Sequence, residues 1–133
     1  MNAPQPYARF RPSQRLRVPA EFRRVMDAPT LRASHSGFVL LALENGLSQG
    51  RLGFVLPKRR LRLAVARNRV KRIIRESFRH HQATLAGLDI VVMARDGLAA
   101  LKPAELRAIA DRQFLYLAGK KTSASVSPDR SPR

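Results

Sequence analysis

Arg67, Lys71, Arg75 and Arg79 recur every four residues, and Asn68, Arg69 and Arg72 fall among them. At about 100° per residue, a helix puts Asn68, Lys71, Arg72, Arg75 and Arg79 on one strip. Arg67 stands at its border, and Arg69 lies with Glu76 on a further sector. Cations arranged this way do one kind of chemistry well, which is to hold phosphates. The Arg guanidinium is a planar fork that takes two oxygens at once. Asn68 adds an amide that can bridge a base edge or a ribose hydroxyl. Like charges four apart on a helix repel by about a few tenths of a kcal/mol per pair. Glu76, within reach of Arg72, is the offsetting acid, and a bound polyanion would relieve the rest.

The other chemically capable residues give little. His80 and His81 are adjacent, so on a helix they point about 100° apart and make a poor metal pair. They suit a helix C-terminus, where cations are favoured. Asp89 and Asp96 bracket an apolar run without an evident partner. No Gly-rich phosphate loop is present, and with no cysteine, thiol catalysis and Cys-based zinc sites are excluded. No catalytic or metal-ligating residue is assigned to this chain.

The phosphate-binding strip needs a helix with a docked opposite face. Val70, Ile73, Ile74 and Phe78 supply it, and the helix is expected over about 63–81. The basic connector KRRLR at 58–62 feeds into it, so residues 58–79 hold ten Lys or Arg and one Glu. Upstream, PAEFRRVM reads as a short helix with Pro19 in its first turn and Phe22, Val25 and Met26 on one face. SGFVLLALE (36–44) and RLGFVLP (51–57) read as strands separated by an Asn45-Gly46 turn, and an antiparallel hairpin is expected. LDIVVMAR (88–95) is a strand apolar enough to be buried on both faces. After the Asp96-Gly97 turn and Lys102-Pro103, a last helix is expected to close at Gly119. Residues 1–13 read as a flexible basic arm, 14–119 as a single domain, and 120–133 as a disordered tail. The order αββαβα, with room for an extra short strand, is an α+β (α/β) sandwich with one small central sheet.

Composition agrees with the strip. The 133 residues are the size of one domain, and 26 Lys and Arg against 9 Asp and Glu give a net charge of +17. Self-repulsion of that size points to a polyanionic partner. No apolar run approaches the roughly 20 residues of a membrane span. A soluble, cytoplasmic protein without a membrane partner is expected.

The order of residues narrows the polyanion. RLGFVLPKRRLRLAVARNRVKRIIRESFR resembles the signature region of the bacterial ribonuclease P protein family. Lys58-Arg59 matches a basic pair after a strand, and Arg67-Asn68-Arg69, Lys71-Arg72 and Arg75-Glu76 match the family's helix. RLRVPAEFRRVM, DIVVMAR and the helix after Lys102-Pro103 extend the likeness from about Phe10 to Leu117. The resemblance implies a ribosomal-protein-like fold with a left-handed βαβ crossover. It implies an accessory subunit of a hydrolase that removes the 5′ leader of precursor tRNA. The catalytic centre and its Mg²⁺ would belong to the RNA subunit. The implied partners are the catalytic RNA and precursor tRNA, with no protein partner required. On this basis Arg67, Asn68, Arg69, Lys71, Arg72 and Arg75 are assigned to the RNA subunit, and Arg15, Phe22, Lys58 and Arg59 to the leader. Met26 and Leu41 stand where some members carry aromatics; if those positions line the cleft, stacking is reduced here and leader contact leans on packing and charge. The alternative is a ribosomal or ribosome-associated RNA-binding protein of similar fold.

Overall fold

A computed structural model describes residues 14–126, with side chains through Lys121. The arm expected over 1–13 and residues 127–133 of the expected tail lie outside the described residues. The elements are α1 (Pro19–Asp27), β1 (Leu31–Ser34), β2 (Phe38–Glu44), β3 (Arg51–Val55), α2 (Ala64–His80), β4 (Leu88–Ala94) and α3 (Pro103–Val126), with a 3-10 turn at Asp96–Ala100. The result is an α+β sandwich in which a four-stranded sheet separates α1 from the α2–α3 pair.

The sheet order is β1-β2-β4-β3. The expected hairpin between residues 36–44 and 51–57 does not form. β4 lies between those strands, antiparallel to β2 and parallel to β3. The reason is burial: β4 is buried at six of its seven positions, and a central position gives it a strand on each side. The Asn45-Gly46 turn signal is real but serves a different path. The Asn45 carboxamide oxygen accepts the Leu47 amide at 2.7 Å, and Gly46 takes φ +72°. The loop then packs against the backbone around Leu85, where a side chain on Gly50 would approach the Leu85 carbonyl oxygen to 2.6 Å. The hairpin that does form is β1–β2, the extra short strand.

Period-2 alternation sorts the strands onto two faces. Phe38, Leu40, Ala42, Leu52, Leu88, Ile90 and Val92 pack with Ile74, Phe78, Leu106, Phe114 and Leu117 in the larger core, under α2 and α3. Val39, Leu41 and Val91 pack with Leu16 and Val25 on the other face. There the nine-residue α1 is a short cover. Phe22, Met26, Leu43, Val55 and Met93 consequently stay only partly buried, leaving an apolar cleft between α1 and the sheet.

An ion network fixes α1 over that cleft. Arg51 donates to both carboxylate oxygens of Asp89 at 2.8 Å and to Glu21 at 3.0 Å. Asn45 donates to Asp89 at 2.9 Å. The other Glu21 oxygen accepts the Arg17 and Val18 amides at 2.9 and 3.2 Å, capping α1. Asp89 and Asp96, read from the sequence as lacking partners, are thus both paired, Asp96 with Arg60. The last helix also departs from expectation. Gly119 has no positive φ, and α3 continues through it to Val126.

Candidate nucleic-acid interface

α2 docks through Val70, Ile74, Ser77 and Phe78, which are buried. This is the apolar stripe read from the sequence, with Ser77 added and Ile73 only partly covered. Ser77 tolerates burial because its hydroxyl donates to Asp111 on α3 at 2.5 Å. Leu63 occupies the N-cap position, and no acid stands in the first turn to offset the positive end of the helix dipole. At the other end His80 and His81 reach back to the Glu76 and Ser77 carbonyls at 2.9 and 2.8 Å, closing the helix as expected.

The cations divide into two rows. Arg67, Lys71, Arg75 and Arg79 are half-buried beside the stripe, whereas Asn68, Arg69 and Arg72 are exposed. Arg67 braces the connector by donating to the Leu61 and Arg62 carbonyls at 2.7 and 3.0 Å. The Arg75 guanidinium lies over the Phe54 ring, 5.4 Å from its centroid, a cation–π contact. Burial lowers its pKa, and the charge of Arg15 lowers it further. Glu76 pairs with Arg79 rather than Arg72, accepting from its Nε at 3.1 Å. The Arg79 hydrogen bond, foremost, holds the Glu76 carboxyl below its ordinary pKa. Among the described residues, Arg69, Lys71 and Arg72 take part in no ion pair.

The edge strand β3 joins this helix to the cleft. The chain before α1 runs along its free side, with the Leu16 amide donating to the Leu52 carbonyl at 3.0 Å. Around that edge Arg15, Leu16, Phe22, Leu52, Gly53, Phe54, Lys71 and Arg75 enclose a hollow of about 170 Å³. Arg15 and Phe22, assigned to one ligand from sequence, therefore share a wall with Lys71 and Arg75, assigned to another. Lys58 and Arg59 do not line it. They are exposed on the turn after β3. Gly53 makes the Phe22 position possible, since a Cβ there would fall 2.6 Å from the ring. Sequence reading missed Gly53 and Phe54. The available signal was a glycine inside a strand, which marks close approach of another group.

No three His, Asp or Glu side chains gather into a metal-binding group among the described residues. Both Asp89 oxygens face Arg51, and Asp96 faces Arg60. These carboxylates do not fit a Mg²⁺ site. Among the described residues no helix is long and apolar enough to cross a membrane.

Fold and face define the class: a small α+β protein that holds a rigid cationic helix beside a half-open apolar cleft. The Ribonuclease P family model matches residues 10–118. The chain is 53% identical over 97 residues to the ribonuclease P protein component of Pseudomonas aeruginosa, covering 73% of this chain and 72% of that protein. It is 42% identical over 118 residues to that of Pseudomonas putida, covering 89% of each. The structure of the Staphylococcus aureus RNase P protein aligns with TM-score 0.71 at 26% identity, over 78% of this chain and 94% of that one. The Thermotoga maritima protein aligns with TM-score 0.62 at 28% identity, over 80% and 96%. The chain belongs to the ribonuclease P protein family. Its role is that of the protein subunit of this tRNA-processing endoribonuclease, and the ribosomal alternative falls away.

Proposed function

We propose that the outer face of α2 binds the catalytic RNA of ribonuclease P, and that the cleft between α1 and the sheet receives the single-stranded 5′ leader of precursor tRNA. Asn68, Arg69 and Arg72 meet the RNA subunit directly. Lys71 and Arg75 stand where the two surfaces join, and Arg67 contributes by holding the connector in place. Phe22 offers its ring to leader bases, with Arg15 at the same hollow and Lys58 and Arg59 on the turn beyond β3. Stacking on a ring is worth about 1–3 kcal/mol per base and is tolerant of sequence, which suits a leader of variable sequence. Bond cleavage and the Mg²⁺ that serves it belong to the RNA subunit, and the holoenzyme works in the cytoplasm.

The observation that carries this reading is the continuity of cationic helix, β3 edge and apolar cleft, with the exposed cations of α2 outside ion pairs among the described residues. Reconstitution tests it. The chain alone should leave precursor tRNA intact, and adding it to the RNA subunit at low Mg²⁺ should raise cleavage. No effect on that reaction would overturn the proposal.

A further inference from the structure

Beyond the ridge, α2 and the start of α3 leave a groove of about 490 Å³ walled by Arg72, Ile73, Glu76, Pro103, Ala104 and Arg107. Its floor is apolar, made by Ile73, which packs on the core, and by the exposed Pro103 and Ala104. Its sides are cationic. Arg72 is exposed and outside any ion pair among the described residues. Across from it, the Arg107 guanidinium is held in place by Asp111 at 3.1 Å. The acid of the groove, Glu76, is neutralised by Arg79. Arg72 also walls the adjoining hollow formed with Asn68, Arg75, Glu76 and Arg79. A polyanion lying on the α2 ridge therefore passes the mouth of the groove.

An apolar floor between two guanidiniums suits a flat ring whose faces are apolar, whose edge is polar, and which is tethered to phosphates. A duplex offers no free ring face. A lipid surface would need a broader apolar area without a cation on each side. We propose that this groove seats one unpaired nucleobase of the RNA subunit, with its flanking phosphates on Arg72 and Arg107. The inference rests on the reading of α2 as the docking face for that RNA and extends the face onto α3.

The test fills the groove without touching the core. Ala104 is exposed in the first turn of α3, so Ala104→Leu and Ala104→Trp should fold, with unchanged unfolding midpoints. Affinity for the RNA subunit is measured across salt, alongside base-selective chemical probing of that RNA. Both variants should bind about 5- to 50-fold more weakly with the salt slope of the wild type. One base should lose its protection while the remaining footprint persists. Wild-type affinity and protection in both variants would overturn the proposal. Arg69→Ala, outside the groove, separates the two readings. If it weakens binding and the Ala104 variants do not, the groove inference alone falls. If neither does, α2 is not the docking face and both fall.

Discussion

Replacing Arg51 by methionine strands a carboxylate where water cannot reach it. The Asp89 side chain is 0% exposed, and two of its hydrogen bonds come from Arg51 at 2.8 Å. Asn45 supplies one more at 2.9 Å, which cannot balance a full charge. Methionine keeps most of the stem volume, so the loss is electrostatic rather than a cavity. Removing one partner of a buried pair costs about 3–5 kcal/mol, against roughly 5–15 kcal/mol for the stability of a whole domain. The Glu21 arm is partly solvated and adds about 0–1 kcal/mol. With a urea slope of about 2 kcal/mol per molar, the unfolding midpoint should fall by about 2 M. Adding Asp89→Asn to Arg51→Met removes the stranded charge and should recover part of that loss. A midpoint within about 0.3 M of wild type would refute the reasoning, as would further destabilisation by the second substitution.

Gly53→Ala should displace the Phe22 ring and reduce the preference for precursor over mature tRNA, with affinity for the RNA subunit unchanged. Equal preference in wild type and variant would remove Phe22 from the leader site. Phe22→Ala should lose leader discrimination by about 5-fold or more, measured as the ratio of affinities for precursor and mature tRNA. Arg79→Ala should weaken RNA binding less than Arg72→Ala, because Arg79 is paired with Glu76, and direct binding assays would rank them. Acid should destabilise the fold. Hydrogen bonding by Arg79 depresses the pKa of Glu76, and hydrogen bonding by the Arg17 amide, foremost, depresses that of Glu21, each from an ordinary 4.5. Depressed carboxyls contribute stability that is full above the unfolded value and lost as pH falls through the folded one. Unfolding midpoints should therefore hold at neutral pH and drop below about pH 4.5, less so in Glu76→Gln. A flat profile down to pH 3 would contradict this.

What the sequence revealed was local. The apolar stripe of α2, its cationic strip and its closing histidines follow from a 3.6-residue period, and the helix ends within a residue of expectation. What it concealed was nonlocal. A turn signal at Asn45-Gly46 says that the chain bends, not which strand it then joins. The answer depends on β4, more than thirty residues later, needing a neighbour on each side. Asp89 looked solitary because its partner Arg51 sits on a different strand. Glu76 was expected to serve Arg72, yet geometry favours the i+3 partner Arg79. Phe22 was read from the sequence both on the apolar face of α1 and as a leader contact; its ring rests on Gly53 and lines the hollow at the β3 edge.

The most direct test of the central claim is the salt dependence of affinity for the RNA subunit, compared between wild type and the double variant Arg69→Ala/Arg72→Ala. If the exposed row of α2 lies on phosphates, the variant binds more weakly and its log–log slope is flatter by about one unit per lost contact, so about two. An unchanged affinity and slope would mean that this row faces solvent in the holoenzyme.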